Sequence, residues 1–386
     1  MLSPILRERA RQWDTTAPHG SRMGCVPLSA GLRKASWAAM PKSRVLAVIV
    51  NYNGGHWVEA AVESLLAQTV PVDVIVMDNQ STDGSAQCLR ERFAQIAVRD
   101  SGGNVGVATA NNAVLDYEGY EYYLLFNPDA KAEPMAVERL ADLLDRNPEV
   151  GGLGATLVEY NKSSIIQHFQ PRFDPLCFPH DAWEGAAVET LPGEEIVDTG
   201  YLCTAAAIFR SQAYRDVGGM DPDFFLFTDD TDLSWRMRLR GWKLAATPKV
   251  LVRHVGGATA EYGGKNGRYE TSEMRLYLRE RNCWYMAIKC YAWWMLAPYA
   301  VVNTFSMLVE SAVLWLLGKR GLAPINLHAL RDVARNLPML LRKRAAVQRG
   351  RVVPESEVLR TIYWGIGKLV KLRRDGIPVL KSKPAA

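Results

Sequence analysis

The sequence predicts an α/β protein: a Rossmann-like, mostly parallel sheet with helices on both faces, followed by a helical, membrane-associating C-terminal region. Three observations carry this. Apolar runs of strand length alternate with segments of helical spacing from Arg44 onward. Each run ends in a polar or glycine-rich corner. The last third changes character, becoming apolar and then strongly basic.

The elements follow in order. RVLAVIV, residues 44–50, is β-branched and apolar, as a buried strand requires. It ends in the corner NYNGG and runs into a helix over 57–67, where Val58, Ala61, Val62, Leu65 and Leu66 fall on one face. VDVIVMD (72–78) predicts a second strand and GSAQCLRERF (84–93) a second helix. VGVATANNAVLDY (105–117) reads as helix and YYLLFN (122–127) as strand. PMAVERLADLLDRN (134–147) reads as a helix with Pro134 in its first turn. Strand–helix alternation at this spacing makes a parallel sheet covered on both faces. Ligands of such sheets sit at the carboxyl ends of the strands. The corners Asn51–Gly55, Asp78–Gly84 and Asn127–Asp129 are therefore expected to converge on one crevice.

Composition sets the class. With 48% hydrophobic and 23% charged residues and no low-complexity tract, the chain is that of a folded protein. Its net charge of +5 conceals an asymmetry. Residues 1–43 carry seven Lys/Arg against two acids, residues 44–317 carry 23 against 35, and residues 318–386 carry 16 against four. The acidic body argues against nucleic acid as a partner. The basic tail calls for an anionic one, and the headgroups of a cytoplasmic leaflet fit. Six scattered cysteines without zinc spacing read as reduced thiols of a cytosol-facing protein. Residues 1–43 have no apolar core of a secretory signal, so residues 1–39 read as a disordered or non-native extension. Residues 44–260 then form the sheet domain and 261–386 the helical region.

No G-x-G-x-x-G follows the first strand, and no G-x-x-x-x-G-K-[ST] loop is present. Nicotinamide and P-loop chemistry are disfavoured. A nucleotidyltransferase would carry a basic triphosphate loop, and VNYNGGHW has neither Lys nor Arg. The strand ends offer amides, hydroxyls and single carboxylates instead, which suit a nucleoside.

Five motifs follow one another: VIVMDNQSTDGS (74–85), SGGNVGVATANNAV (101–114), YYLLFNPDA (122–130), VGGMDPDFFLFTDDTDLSWRMRLRGW (217–242) and VRHVGGAT (252–259). Together they resemble the family 2 glycosyltransferases of the GT-A fold, particularly rhamnosyltransferase- and galactofuranosyltransferase-like members. The resemblance covers about residues 44–260. It implies an inverting transfer of a sugar from a nucleotide-diphosphate donor, dTDP- or UDP-linked, to a glycan or lipid-linked glycan acceptor. It implies that Asn51, Asn53, Asp78, Asn79, Gly103, Asn104, Gly106 and Asn127 bind the nucleotide. Asp129 falls where the family's D-x-D motif lies, here Asn127-Pro128-Asp129 with a single carboxylate. With His254 it would hold Mg2+ or Mn2+, for which one or two carboxylates plus substrate phosphates can suffice. The family's acidic pair places the general base at Asp230, with Asp229 the alternate. Capping is the competing role for these carboxylates, and Asp232 fits it. Trp235 reads as core or as an acceptor-stacking ring, and Arg238 as a solvated charge. A non-catalytic membrane-bound glycan- or nucleotide-binding scaffold is the alternative to an enzyme.

Residues 290–309 run without a charge, the length of a membrane span. Pro298 and Asn303 interrupt the run, and a single crossing would put the basic tail on the far side from the catalytic domain. Interfacial helices or a re-entrant hairpin at the cytoplasmic face of the inner membrane fit the charge better. A soluble helical core or dimer interface is the remaining reading, which leaves a homo-oligomer open.

Overall fold

The computed structural model describes residues 43–256, 270–377 and 379–380. The predicted N-terminal extension, Cys25 and Gly257 lie outside the described residues. β1 (Val45–Asn51) is buried along its whole length. α1 (Gly55–Leu66) buries Val58, Ala61, Val62 and Leu65, as its spacing requires. β2 (Val72–Asp78), α2 (Ser85–Arg92) and β3 (Ala97–Asp100) follow. α3 (Val107–Asn111) is shorter than its pattern and continues as one 3-10 turn over Asn112–Asp116. Asn is a weak helix former, and the Asn112 side chain holds Met220 by bonds to both its N and its O. β4 (Tyr122–Phe126), β5 (Ala130–Ala132) and α4 (Ala136–Asp145) come next. Met135 is the N-cap of α4, so Pro134 sits in the turn before that helix rather than inside its first turn.

From here strands follow one another without crossover helices: β6 (Val150–Glu159), β7 (Lys162–His168), β8 (Arg172–Phe173), β9 (Pro179–His180), β10 (Val197–Asp198) and β11 (Ala206–Arg210). α5 (Ser211–Asp216), α6 (Asp229–Leu239) and β12 (Lys243–His254) complete the sheet domain. The strand order is β10-β12-β6-β11-β4-β1-β2-β3, with β5 on β12 and β7 on β6. The predicted parallel arrangement holds for β3-β2-β1-β4. Beyond it the sheet is mixed, because β11 enters antiparallel between β4 and β6. A parallel crossover usually carries an α-helix, and between β6 and β11 there are only short strands and a 3-10 turn over Val188–Thr190.

Alternate residues of β1 feed the two faces. Val45, Ala47 and Ile49 pack with α1 and α4, while Leu46 and Val48 pack with residues of α3, α5 and α6. β13 (Glu270–Thr271) pairs with β14 (Val379–Leu380). Between them lie α7 (Glu273–Cys290), α8 (Trp293–Leu316), α9 (Ile325–Arg349), α10 (Glu355–Leu359) and α11 (Gly367–Asp375). A third core joins α7, α8 and α9 to Trp235 and Leu239 of α6 and to Phe173, Cys177, Tyr201 and Phe224. The helical region is thus packed directly onto the sheet domain.

The re-entrant hairpin is corrected. Residues 293–316 are one helix running through Pro298, whose missing N–H costs a single hydrogen bond near the helix start. This helix is long and apolar enough to cross a membrane, with mean hydropathy 1.4 and only 22% of that window buried. Among the described residues, every exposed large apolar side chain except Met135 lies between Trp293 and Ile377. Among the described residues the exposed apolar surface therefore belongs almost wholly to the C-terminal region.

Candidate active site

β1, β2 and β4 are parallel neighbours, so Asn51, Asp78 and the Asn127–Asp129 turn share one edge of the sheet. The register sets Asn51 directly beside Asp78. Asn51 Nδ2 reaches Asp78 Oδ1 at 2.9 Å, Ser81 Oγ at 3.0 Å and Ser85 Oγ at 2.9 Å. Its Oδ1 accepts from Gly54 N at 3.2 Å. A Cβ on Gly54 would stand 2.5 Å from that same Oδ1, which is why the corner needs glycine there. Asn51 has no solvent exposure. Its side chain is a strut inside the corner, bonded to the residues on either side of it.

The other expected nucleotide residues gather here as well. Asp78 is buried, with Ser81 Oγ donating to Oδ1 at 2.6 Å and Ser81 N to Oδ2 at 3.2 Å. Asn53 sits at φ 53°, and its Oδ1 accepts from Thr82 N at 2.7 Å. Asn79 is buried; its Oδ1 accepts from Ser101 Oγ at 2.8 Å. Asn104 Oδ1 accepts from Gly106 N at 3.3 Å. Gly103 and Gly106 divide the work of their turn. A Cβ on Gly103 would meet open space, whereas one on Gly106 would stand 2.5 Å from the Phe225 carbonyl oxygen. Gly106 is a close-packing glycine, and the open side of the turn lies at Gly103.

The metal candidates are brought together by β5. Ala130 pairs with His254 across the β5–β12 ladder, so Asp129, one residue earlier, comes alongside the ring. His254 Nε2 lies 3.2 Å from Asp129 Oδ1 and 3.1 Å from Asn127 Nδ2. Gln167 Oε1 stands 2.6 Å from Nδ1 of the same ring. A proton on Nδ1 donated to Gln167 leaves the Nε2 lone pair to accept from Asn127 Nδ2 beside the Asp129 carboxylate, and this lone pair and carboxylate together suit a cation. Among the described residues no group of three or more His, Cys, Asp or Glu could hold a metal. The Asp129–His254 pair fits a divalent ion whose remaining ligands are phosphate oxygens and water. Gln167 was not found by sequence reading; nothing local marks a residue 87 positions from its partner.

The acidic pair opens α6. Phe225, Phe227 and Thr228 before it all have positive φ, near 65°, a costly conformation for non-glycine residues. Fully buried Asn282 holds this turn, its Nδ2 donating to the carbonyls of Phe224, Leu226 and Phe227 at 3.0, 2.9 and 2.7 Å. Buried Arg281 adds a bond to the Asp223 carbonyl at 2.9 Å. Neither residue stood out in the sequence. Burial and the neighbouring Asp230 charge push Asp229 up to about 7. Burial also raises Asp230, while the Thr231 amide and the charge of His168 pull the other way. Asp232 is not the cap its position suggested: it is fully buried between Arg236 and Lys289. Trp235 is core, with no exposure for stacking an acceptor, and Arg238 is buried on Asp198 rather than solvated.

Segment 201–205 connects the two halves. Ala205 O accepts from Asn127 N at 3.0 Å, and Leu202 N donates to Ser234 Oγ of α6 at 3.0 Å.

Residues 46–218 match the family model described as glycosyl transferase family 2. N-acetylglucosaminyl-diphospho-decaprenol L-rhamnosyltransferase of Mycobacterium tuberculosis is 29% identical over 230 residues, 54% of this chain and 74% of that protein. Poly-beta-1,6-N-acetyl-D-glucosamine synthase of Staphylococcus epidermidis is 24% identical over 211 residues, 52% of this chain and 47% of that protein. The crystal structure of GalNAc-T7 with UDP, GalNAc and Mn2+ superposes with a TM-score of 0.50 at 11% identity, over 64% of this chain and 48% of that one. That likeness is one of fold. Asp229, Asp230 and His254 lie beyond the stretch matched by the family model. Residues 46–218 thus match a family 2 glycosyltransferase domain, on a fold shared with known glycosyltransferases.

Proposed function

We propose that this protein is an inverting, divalent-metal-dependent glycosyltransferase working at a membrane surface. It moves a deoxyhexose such as rhamnose, or a hexose or galactofuranose, from a dTDP- or UDP-linked donor to a polyprenyl-diphosphate-linked glycan during cell-surface polysaccharide synthesis. The observation that carries this is that segment 201–205 bonds both to Asn127, in the turn that ends at Asp129, and to Ser234 of α6, the helix that opens with Asp229 and Asp230.

In this reading the Asn53, Asp78, Asn79 and Gly103–Asn104 edge holds the nucleoside. Asp129 and His254 would hold Mg2+ or Mn2+, which supplies positive charge for the departing diphosphate. Asp230 accepts the proton of the acceptor hydroxyl as its oxygen attacks the anomeric carbon. The bond from that carbon to the diphosphate oxygen breaks on the opposite face, so the centre inverts. The diphosphate leaves with the bonding pair, and the proton stays on Asp230.

The lipid-linked acceptor is supported by α8. Met295, Leu296, Tyr299, Asn303, Met307 and Ser311 bury one side of it along most of its length. Glu310 pairs with Lys368 at 2.5 Å. The opposite side exposes Val301, Val302, Phe305 and Trp315. A crossing would draw the packed α7 and α9, with their arginines and lysines, into hydrocarbon. The helix therefore lies in the plane of an anionic leaflet, on the cytoplasmic side, with basic flanks at the headgroups.

Calorimetry of UDP and dTDP, each with and without Mn2+, tests the reading. Metal-dependent binding of one nucleotide, with turnover of its sugar, is expected. Binding without turnover by folded protein would replace the enzyme with a scaffold.

A further inference from the structure

The acceptor in the reading above carries a diphosphate, and the crevice it must enter is edged by the carboxylates of Asp78, Asp129, Asp229 and Asp230. Anionic groups brought among carboxylates need positive charge of their own. The Asp129–His254 site serves the donor. A second source of charge stands on α7, against the turn that precedes the acidic pair.

That turn, Phe225–Thr228, meets the nucleotide edge at one end and α7 at the other. Val107 N donates to the Phe225 carbonyl at 2.7 Å, which sets the turn against the Gly103–Gly106 loop. The Arg275 guanidinium of α7 lies over the Phe227 ring, 5.6 Å from its centroid, and Phe227 is two residues before Asp229. Asn282 holds Phe227 in place, its Nδ2 reaching the Phe227 carbonyl at 2.7 Å. Arg279, one turn further along the same side of α7, lies 5.0 Å over the Phe178 ring. A guanidinium is planar, stacks on aromatic faces and presents a fork that matches phosphate oxygens. Two of them one turn apart suit two linked phosphates.

This side of α7 leads to apolar surface. Tyr291 meets Tyr299 at 5.6 Å, Trp284 Nε1 lies 3.3 Å from Met307 Sδ, and Lys368 Nζ lies 3.1 Å from Glu280 and 2.5 Å from Glu310. Earlier residues of α7 thus meet later residues of α8, so α8 runs back along α7. Its last turn, with Val313, Trp315 and Leu316 exposed, comes level with the start of α7. The start of α11 is close by as well. A Cβ on Gly367 would stand 3.0 Å from Phe178 Cδ1, and Ile366, Leu369 and Val370 are exposed. Glu280, 3.2 Å from Arg279 Nη2, shares its charge with Lys368 of α11.

We propose that Arg275 and Arg279 seat the diphosphate of the lipid-linked acceptor, with its sugar turned toward Asp230 and its prenyl chain laid over the exposed residues of α8 and α11. This rests on the reading of the protein as a transferase to a polyprenyl-diphosphate-linked glycan. The seat holds the acceptor and takes no part in bond-breaking.

The test uses the full chain without added metal, farnesyl diphosphate as a soluble probe, and farnesol as the control for the chain alone. Calorimetry should show the diphosphate binding and farnesol binding far more weakly. Arg275→Gln should weaken farnesyl diphosphate by about tenfold or more, the worth of a charged hydrogen bond. Mn2+-dependent UDP or dTDP binding and flotation on anionic vesicles should not change. Arg275→Lys keeps the charge but loses the fork; it should weaken the probe by less, and it serves where the glutamine variant does not fold. Farnesyl diphosphate binding that is absent from the wild type, or unchanged in the folded variant, overturns the proposal. So does an equal loss of nucleotide binding, which gives the arginine to the donor, or of flotation, which gives it to lipid headgroups. Absence of sugar transfer by the wild type would refute the transferase reading, while the farnesyl diphosphate titration still decides whether the seat exists.

Discussion

Lys289 Nζ stands 2.8 Å from Asp232 Oδ1, and neither side chain has appreciable contact with solvent. Lys289 also pairs with Asp221, Lys343 of α9 pairs with Asp221 and Asp223, and Arg236 Nε meets Asp232 Oδ2 at 2.8 Å. The lysines hold the Asp221 carboxyl far below its usual range against the effect of burial. This network bolts the helix that carries the acidic pair to α7 and α9. Complete buried pairs add little net stability, but removing one partner strands the other charge. Lys289→Met leaves Arg236 on Asp232 and Lys343 on Asp221, so it should cost less than a stranded buried charge, on the order of 1–3 kcal/mol. Urea unfolding would measure it, and a loss well under 1 kcal/mol would mean that Asp232 finds water or another cation.

The acidic pair makes a pH prediction with a definite sign. In an unfolded chain the Asp229 carboxyl ionises near 3.8, whereas in the fold it holds its proton to about 7. Between those values the folded state binds more protons, so this contribution to stability is complete at low pH and is lost as pH rises. Asp229→Asn should stabilise the protein at pH 8, by on the order of 1–4 kcal/mol, and leave it nearly unchanged at pH 4. Thermal melts at the two pH values check it. An equal gain at both would assign the effect to packing.

Asp230→Asn keeps the shape of the site and removes the proton acceptor. A fall in kcat of roughly 10²–10⁴ is expected, with nucleotide affinity unchanged. Retention of more than about a tenth of wild-type turnover would move the base elsewhere.

Gln167 should matter to metal binding although it is not itself a ligand in the proposed site. Loss of an outer-shell partner of a ligating histidine typically costs about 10–100-fold in affinity. Gln167→Leu should weaken Mn2+-dependent nucleotide binding by that factor, and His254→Ala by at least as much. Titration calorimetry reads both, and unaltered binding in His254→Ala would return that histidine to a purely structural role.

On the membrane side, Phe305 and Trp315 are exposed on α8 without touching the core. Changing both to Glu should release the protein from anionic vesicles in a flotation assay while leaving its melting temperature intact. Persistent flotation at low salt would assign binding to the basic helices alone.

What the sequence determined by itself lies mostly between Arg44 and Asn147. There burial follows a local pattern: a continuous buried run along β1, a largely buried one along β2, and Val58, Ala61, Val62 and Leu65 along α1. Such patterns are written in neighbouring residues and survive without knowledge of the rest. The polar strand ends were legible for the same reason, since Asn, Asp and Gly announce a corner. Tertiary structure decided what those corners do. Asn51 became a strut because the β1–β2 register set it against Asp78. β11 came to lie antiparallel between β4 and β6 after a connection without an α-helix, and Asp232 became a bolt because α7 brought Lys289 to it. Gln167 and Asn282 carry no local signal at all. Their roles arise from a bulge in β7 and from helix packing across dozens of residues, and such contacts depend on chain geometry that one-dimensional periodicity does not encode.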